Sequence, residues 1–207
     1  MIIVIDYDAG NTANVLRALA AIGAEARLSA DPKEILAADS LILPGVGAFR
    51  TAMQELQKRD LIGPIQEAVS GGKPFLGICL GMQLLLEVGL ENGQTSGLGF
   101  IPGVCRRIPD RTGLPVPHMG WNDLQVQQSS ALTAGLDGQS VYFVHSYYTD
   151  VPEKYLDVTA DYGLPIPAMI HKGSVFGCQF HPEKSGQVGL EILRNFKEYV
   201  YEDSTSD

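Results

Sequence analysis

Residues 73–88, KPFLGICLGMQLLLEV, decide the fold because a short apolar run passes directly into a segment with helical spacing. KPFLGIC predicts a buried strand, and LGMQLLLEV predicts a helix packed under the sheet. Cys79 lies at the junction, between Gly77 and Gly81. The two glycines permit a sharp strand-to-helix turn, and the G-x-C-x-G pattern is typical of a nucleophile elbow.

The N-terminal half repeats this alternation of apolar runs and helical segments. Asn11 and Thr12 are candidate caps for a first helix, and Gly23 is placed to end it. Helical sequence also follows the PGVGAF loop and continues to about Gly72. Three further buried strands are predicted: IIVID (2–6), EARLS (25–29) and SLILP (40–44).

The C-terminal half contains shorter strand-like pieces separated by Gly and Pro turns, and it ends in a helix from about Ser185 to Val200. The pattern predicts an α/β fold with a doubly wound, mixed, mainly parallel sheet flanked by helices. We expect a single domain over residues 1–201 and a polar tail over 202–207. The strand-like pieces are GLGFI (97–101), WNDLQV (121–126), VYFVHSYY (141–148), AMIHK (168–172) and VFGCQF (175–180).

The composition restricts the partners and the compartment. A formal net charge of -9, from 24 acidic and 15 basic residues, disfavours nucleic acid and anionic membrane partners. The first residues, MIIVIDYD, do not resemble a signal peptide. Three cysteines at irregular spacing argue against a disulfide framework, so we expect a cytoplasmic protein. The histidines and cysteines have no paired metal-ligand spacing, so we predict neither a metal site nor a cofactor.

Cys79 is the candidate nucleophile, because the first N–H groups of the following helix favour a thiolate. Near the end of the chain, FGCQFHPEKSG supplies His181 as a base and Glu183 as the group that orients it. If this peptide is extended, the two side chains share a face. Cys178 is a rival nucleophile, but it lies in a strand-like run without elbow glycines, so we expect it in the core.

An acyl transfer also needs N–H donors for the oxyanion of the tetrahedral intermediate. The backbone of Leu80, after the nucleophile, and of the PGVG loop could converge there. In that loop, Gly45 and Gly47 flank Val46 and allow the peptide groups more than one orientation. Because one orientation would present a carbonyl in place of a donor, we expect a site that is incomplete at rest.

The motifs PGVGAF, LGICLGMQLL, HMGWN and FGCQFHPEKSG resemble those of the class I (triad) glutamine amidotransferases. The resemblance extends over nearly the whole chain. PGVGAF and HMGWN narrow it to the glutaminase subunits of imidazole glycerol phosphate synthase. It implies a Cys-His-Glu triad that releases ammonia from glutamine, and a (βα)8-barrel cyclase partner in a heterodimer that uses this ammonia in histidine biosynthesis.

The resemblance also assigns residues to the substrate pocket and to the partner surface. Cys79, His181 and Glu183 match the triad. Asn11 and Asn14 border the expected partner surface, although N-capping explains Asn11 nearly as well. The pocket residues implied are Gln83, Glu91, His145, Ser146 and Tyr147. The partner residues implied are His118, Met119, Gly120, Trp121, Asn122 and Tyr142, while the ordinary alternative for Trp121 is a place in the core.

Two classes of alternative remain open from the sequence. One is a related glutaminase that feeds pyridoxal phosphate, anthranilate or amino-sugar synthesis, because such paralogues can share every motif. The other is a protein that does not supply ammonia to a synthase, either a regulatory subunit without catalytic activity or a stand-alone thiol hydrolase. The intact Cys79, His181 and Glu183 argue against the regulatory subunit, and HMGWN argues against the stand-alone hydrolase.

Overall fold

The computed structural model describes residues 1–110 and 114–202. The helices are α1 Thr12–Ala21, α2 Pro32–Ala37, α3 Phe49–Lys58, α4 Ile62–Ser70, α5 Leu80–Leu84 and α6 Gly186–Glu202. The first seven strands are β1 Ile2–Ile5, β2 Ala26–Ser29, β3 Ser40–Gly45, β4 Phe75–Cys79, β5 Leu86–Gly89, β6 Thr95–Ser96 and β7 Ile101–Arg107. The others are β8 His118–Val126, β9 Ser140–His145, β10 Tyr147–Asp150, β11 Leu156–Asp161, β12 Pro165–Lys172 and β13 Val175–Cys178.

The strands of the described residues form two sheets. The larger has the order β2-β1-β3-β4-β13-β12-β11-β8-β9, and the smaller has the order β10-β7-β5-β6. The larger sheet is mixed, as predicted, but it is not mainly parallel: four pairings from β2 to β13 are parallel, and four pairings from β13 to β9 are antiparallel. β4 and β13 are therefore neighbours at the centre, and the two motifs that carry chemistry end side by side.

The larger sheet is covered on both faces, which explains why its first strands are apolar throughout. In β1, Ile2 and Val4 pack into the cluster that contains α1 and α6, whereas Ile3 and Ile5 pack into the cluster that contains α2, α3 and α4. Alternate residues of a strand point to opposite faces, so a strand buried on both sides has no polar positions. The doubly wound prediction is confirmed.

The predicted helix over LGMQLLLEV is wrong in its second half. Helix α5 ends at Leu84, and the chain continues as strand β5 of the smaller sheet. The Leu84 carbonyl accepts a hydrogen bond from Leu98 N–H at 2.8 Å, and the Glu87 carbonyl accepts one from Gly97 N–H at 2.9 Å. The loop after β6 thus takes the carbonyls that another helical turn would have used.

Three other predicted boundaries differ from the structure. The helical stretch after PGVGAF is two helices, interrupted where Asp60 has a φ of 54°. GLGFI is mostly loop, because β7 begins at Ile101. VYFVHSYY divides at Ser146 into β9 of the larger sheet and β10 of the smaller one. The chain crosses between the sheets at this point, which places residues 145–147 beside the ends of the central strands.

The C-terminal helix agrees with the sequence prediction, but it extends further than expected. α6 runs to Glu202, a residue that the prediction placed in the tail, and the rest of that tail, residues 203–207, lies outside the described residues. In the part of the chain that the structure describes, no helix has the length and apolar character needed to cross a membrane.

Candidate active site

Cys79 lies at the turn where β4 ends and α5 begins. Its φ of 54° and ψ of -111° lie in a region of backbone conformation that residues other than glycine rarely adopt. Such strain persists only where the surrounding structure holds it, and it is typical of the turn that lifts a nucleophile above the strand ends. Here the central position of β4, between β3 and β13, holds the strand from which the turn departs.

The glycines on either side of the turn are required by packing. A Cβ on Gly81 would lie 1.8 Å from the carbonyl oxygen of Leu43, and a Cβ on Gly77 would lie 2.6 Å from the carbonyl oxygen of Gly81. Helix α5 therefore crosses directly over the backbone of β3 and β4. The G-x-C-x-G pattern reflects this close approach as well as the freedom of the turn.

His181 and Glu183 approach Cys79 from the end of the neighbouring strand, β13. The imidazole Nδ1 of His181 lies 2.8 Å from Glu183 Oε1. The side chain of Cys79 is close enough to the imidazole to contribute to its raised pKa. The imidazole therefore interacts with both the sulfur and the carboxylate of the residues proposed as catalytic.

The expectation that the His-Pro-Glu segment is extended is wrong beyond His181. Residues Pro182–Lys184 form a 3₁₀ turn with the proline at its first position, where its missing N–H is not needed. The Ser185 N–H donates to the Pro182 carbonyl at 3.1 Å, and the Ser185 hydroxyl donates to the His181 carbonyl at 2.7 Å. This turn directs the Glu183 carboxylate back to the imidazole.

The environment of His181 favours the protonated ring. Burial disfavours the charge, but the hydrogen bonds and charges of Cys79 and Glu183 outweigh it and raise the pKa of His181 to about 9. The Glu183 carboxylate is buried, and its Oε2 has no hydrogen-bond partner among the described residues. The imidazolium is therefore the main group that compensates this buried negative charge.

The backbone groups expected around the oxyanion lie beside Cys79. Gly45 is the last residue of β3, paired in register with Cys79, and a Cβ there would lie 2.7 Å from the Tyr7 hydroxyl oxygen. Close packing alone therefore requires a glycine at this position, and the expectation that the peptide groups at Gly45 can reorient stays a prediction. Gly47, by contrast, has a φ of +97° and open space around it. A change of peptide orientation in this loop therefore has space at Gly47.

A cavity of about 350 Å³ opens above Cys79. All the residues predicted for the triad and the pocket line this cavity, with two exceptions. Gly45 and Glu183 are not exposed to the cavity, but they adjoin the lining residues Val46 and His181. The cavity is large enough for a free amino acid and contains groups from both sheets. The predicted residues that line it are Val46, Gly47, Cys79, Leu80, Gln83, Glu91, His145, Ser146, Tyr147 and His181.

Gln83 and Glu91 are held by the backbone around the cavity. The Gln83 amide nitrogen donates to the Tyr147 carbonyl at 3.0 Å, and Glu91 Oε2 accepts from the Phe49 N–H at 2.8 Å. Gln83 is buried, so it is not a solvated residue at the end of a helix. His145 is also buried, and burial lowers its pKa to about 3, so it contributes a neutral imidazole.

A family model described as "Glutamine amidotransferase class-I" matches residues 3–199. The chain belongs to the class-I glutamine amidotransferase family. A protein of Streptococcus sanguinis (strain SK36), named imidazole glycerol phosphate synthase subunit HisH, is 83% identical over 204 residues, which are 99% of each chain. A protein of the same name from Listeria monocytogenes serovar 1/2a (strain ATCC BAA-679 / EGD-e) is 53% identical over 201 residues, which are 97% of each chain.

The fold is also found in solved structures of low sequence identity. A structure described as PurLQS from Thermotoga maritima has a TM-score of 0.74 and 19% identity. The match covers 96% of this chain and 98% of the other. At this identity the likeness supports the fold alone, and it agrees with the mixed sheet and flanking helices described above.

The sequence missed four residues of this amidotransferase pocket. Gln179 lies beside Cys79, where its amide nitrogen is 3.6 Å from the sulfur. Pro117, Val144 and Lys184 also line the cavity. Gln179 is two residues before His181 in FGCQFHPE, so its closeness to the motif was the one available signal. Pro117 immediately precedes β8 and Val144 lies on β9, so the pairing of these two strands brings both residues to the site, and no local pattern marks them.

The HMGWN segment forms the first part of β8, near the edge of the larger sheet. Met119 is 60% exposed and Trp121 is 56% exposed, so the alternative of a core tryptophan is wrong. Tyr142 on β9 packs edge-on against Trp121, with ring centroids 6.0 Å apart. Gly120 lies between the two exposed side chains with a φ of +136°. Exposed apolar side chains in this number suit a protein contact.

The other two residues of HMGWN point to the interior and connect β8 to the pocket. His118 Nδ1 lies 2.9 Å from His145 Nε2, and His118 Nε2 lies 2.8 Å from Asn122 Oδ1. His145 Nδ1 in turn lies 2.8 Å from the Tyr147 carbonyl oxygen. Asn122 also donates to the Asp161 carbonyl at 3.0 Å. Burial lowers the pKa of His118, as it does that of His145.

Asn11 precedes α1 but does not cap it through its side chain. Its amide nitrogen lies 3.4 Å from Glu183 Oε1, and its amide oxygen accepts from Asn14 at 2.7 Å. Asn11 thus occupies the predicted N-cap position of α1, but its side chain faces the triad and makes no capping hydrogen bond. Over residues 1–110 and 114–202, no cluster of three or more His, Cys, Asp or Glu side chains could hold a metal ion.

Proposed function

We propose that this chain hydrolyses glutamine to glutamate and ammonia and supplies the ammonia to a cyclase partner in histidine biosynthesis. The observation that carries the glutaminase is a strained Cys79 at the floor of a cavity that His181 also lines, with the imidazole held by Glu183. The role within a synthase complex is supported by the relative with 83% identity, whose name is imidazole glycerol phosphate synthase subunit HisH.

The raised pKa of His181 determines where the protons are before the reaction. With a pKa of about 9, the imidazole holds a proton at neutral pH, so Cys79 faces a cation when it attacks the glutamine carboxamide as a thiolate. The sulfur–carbon bond forms, and the carbonyl oxygen becomes an oxyanion. N–H groups of Leu80 and of the Val46–Gly47 segment are the proposed donors to it.

The next steps return the enzyme to its starting state. The C–N bond breaks as His181 gives its proton to the leaving nitrogen, which departs as ammonia and leaves a glutamyl thioester on Cys79. Neutral His181 then removes a proton from water as the water attacks the thioester. The C–S bond breaks, glutamate leaves, and the thiolate and imidazolium are restored. Glu183 keeps the ring oriented and stabilises its charge.

The pocket residues are proposed to hold the substrate. Gln83 and the segment His145, Ser146 and Tyr147 contribute amide and backbone groups to the cavity, and the Glu91 carboxylate at its edge suits the ammonium group of a free amino acid. The amidotransferase domain is proposed to span residues 1–201. This reaction uses the chain's own side chains, and we propose that it proceeds without a cofactor or a metal ion.

The partner is proposed to be a (βα)8-barrel cyclase in a heterodimer in the cytoplasm, docked on β8. The exposed Met119 and Trp121 supply apolar contacts, with Tyr142 beside them. Gly120 and Asn122 are half-buried on the same strand, and the buried His118 is proposed to support this surface from behind. Asn11 and Asn14 are proposed to border this surface close to Glu183, so the contact would lie near the triad. The ammonia then has a short path from Cys79 to the partner.

The decisive experiment measures kcat for glutamate release by the chain alone, with its cyclase, and with cyclase plus the cyclase ligand. We expect a low rate for the chain alone and an increase of about 10²–10³-fold in the full complex, the scale of one oxyanion donor. The partner must bind the active arrangement of Val46 and Gly47 more tightly. Equal rates in all three mixtures would contradict the resting-state expectation, and no glutamate in any of them would contradict the proposed function.

A further inference from the structure

Gln179 is a fully buried polar residue, with 0% of its surface exposed, immediately after β13. Its backbone is fixed by the sheet, since its N–H donates to the Ala168 carbonyl at 2.9 Å. Its side-chain amide reaches away from β12 and towards the floor of the cavity. A buried amide must find partners for both its oxygen and its nitrogen, so these partners define what the residue does.

The two ends of the Gln179 amide contact two residues of the proposed site. Its oxygen accepts a hydrogen bond from the Gln83 amide nitrogen at 3.0 Å, and its own nitrogen donates to the Cys79 sulfur at 3.6 Å. The Gln83 nitrogen also donates to the Tyr147 carbonyl. That carbonyl can only accept, so it fixes the orientation of Gln83. The oxygen of Gln179 must then face Gln83, and its N–H must face the sulfur.

We propose that Gln179 is a positioning residue that holds the Cys79 sulfur with its N–H and the Gln83 amide with its oxygen. The proposal rests on the proposed glutaminase function, because the role is defined by the attacking thiolate. A thiolate accepts hydrogen bonds more strongly than a thioester sulfur. The contact therefore steadies the sulfur before attack and again when it leaves the thioester as a thiolate.

The charged and titratable groups around the sulfur leave this role to a neutral donor. Burial raises the pKa of Tyr7 and of Cys178, so both stay uncharged near the sulfur. His181 supplies the cation on the other side, and Glu183 is held against that imidazole. Gln179 thus adds a hydrogen-bond donor to the sulfur without adding a charge that would compete with His181.

The test replaces Gln179 in two ways and compares each variant in the complex with cyclase. Gln179→Met keeps the length of the side chain and removes both polar contacts, whereas Gln179→Glu keeps the shape but presents an oxygen to the sulfur. The matched control is Asn195→Leu, since Asn195 is a buried amide that donates to the Leu132 and Ala134 carbonyls far from the cavity. Glutamate release is measured over pH 5 to 10, together with the rate at which iodoacetamide alkylates the peptide containing Cys79.

We expect Gln179→Met to lower kcat by about tenfold to a hundredfold, the scale of one hydrogen bond to a charged group. The rise of kcat/KM with pH should move to higher pH, and Cys79 should be alkylated more slowly at neutral pH. Gln179→Glu should show larger changes in the same direction, because a carboxylate repels the thiolate. Asn195→Leu should lower the melting temperature and leave the pH profile and the alkylation rate unchanged.

The outcomes separate this inference from the function on which it rests. A Gln179→Met variant with the wild-type kcat, pH profile and alkylation rate overturns the proposal. A rise in KM alone, with kcat unchanged, overturns the contact to the sulfur, since the loss would then act through Gln83. If the wild-type complex releases no glutamate, the proposed function fails, but slower alkylation of Cys79 in Gln179→Met still supports the contact.

Discussion

Cys79 and Cys178 end two neighbouring parallel strands, yet they occupy opposite environments. Cys79 is 6% exposed at a strained turn and lines the cavity, whereas Cys178 is 0% exposed and stays within the ladder of β13. Burial raises the pKa of the Cys178 thiol well above its usual value, which keeps it protonated. The difference comes from the backbone that follows each strand: β4 turns directly into a helix at Cys79, whereas β13 ends at Cys178 and a bend leads on to His181.

The comparison also explains what the two strands contribute. β4 delivers a nucleophile, and β13 delivers the residues that handle its proton. Because the strands are adjacent and parallel, their ends lie within hydrogen-bond reach of each other. Substitutions of matched residues on the two strands test whether β4 and β13 have these different roles.

The largest expected effect is that of Cys79→Ala. In the complex with cyclase, it should lower glutamine-dependent turnover by about 10⁶-fold, the scale seen when a triad nucleophile is removed. Turnover with added ammonia should remain, because only the nitrogen source is lost. Cys178→Ala is the matched control and should keep glutamine-dependent turnover. If Cys178→Ala lost glutamine-dependent turnover and Cys79→Ala kept it, the nucleophile would be Cys178 on β13.

Glu183→Gln should have the next largest effect. It leaves the imidazole without its anionic partner, and we expect kcat to fall by about 10³–10⁴-fold at saturating glutamine. The pKa of His181 should fall from about 9 towards the ordinary value of 6.5, so the high-pH limb of the activity profile moves to lower pH. Wild-type kcat in this variant would remove Glu183 from the triad.

Two glycines test whether the elbow depends on close packing. Gly81→Ala should destabilise the fold by about 3 kcal/mol or more, because the new Cβ meets the Leu43 backbone oxygen at 1.8 Å. Gly177→Ala on β13 should cost about 1–2 kcal/mol, since its Cβ meets the Cγ of the flexible Met82 at 2.7 Å. Urea unfolding measures both. Equal losses of unfolding free energy in the two variants would show that the packing at the turn after Cys79 is no tighter than the packing on β13.

The smallest effect concerns pH and stability. A histidine whose pKa is raised on folding stabilises the folded state fully below its unfolded pKa, and this contribution is lost as pH rises through the folded pKa. For His181 the window runs from about 6.5 to about 9. The unfolding free energy of the wild type should therefore fall over this range relative to that of Glu183→Gln. Parallel curves for the two proteins would contradict a raised pKa.

The sequence predicted the site best where a reactive residue lies next to residues that determine the local backbone conformation. Cys79 could be assigned because two glycines mark its turn, and His181 with Glu183 because they follow an apolar strand. The same approach failed at LGMQLLLEV, where helical spacing continues but a distant loop takes the Leu84 and Glu87 carbonyls. Such competition between helix and sheet depends on tertiary contacts that no local pattern records.

Burial was the second property that the sequence did not determine. The residue type alone favours the core for Trp121, whereas the resemblance assigned it to the partner surface, and the structure exposes it on β8 next to the edge strand. Gln179 shows the opposite case: it is polar, and it is fully buried because Cys79 and Gln83 provide partners for its amide. Both outcomes depend on which strands become neighbours, and strand order emerges only from the whole fold.

The hydrogen-bonded line from Tyr147 through His145 and His118 to Asn122 has an uneven proton count. Its two ends are oxygen acceptors, so three contacts need three hydrogens, whereas two neutral imidazoles carry one N–H each. Turning the Asn122 amide would complete the line, at the cost of its bond to the Asp161 carbonyl. In that arrangement the Asn122 amide nitrogen donates to His118 Nε2, and the proton of His118 lies on Nδ1, which donates to His145 Nε2. The orientation of one amide on β8 thus determines which nitrogen of a buried imidazole beside the pocket carries the proton.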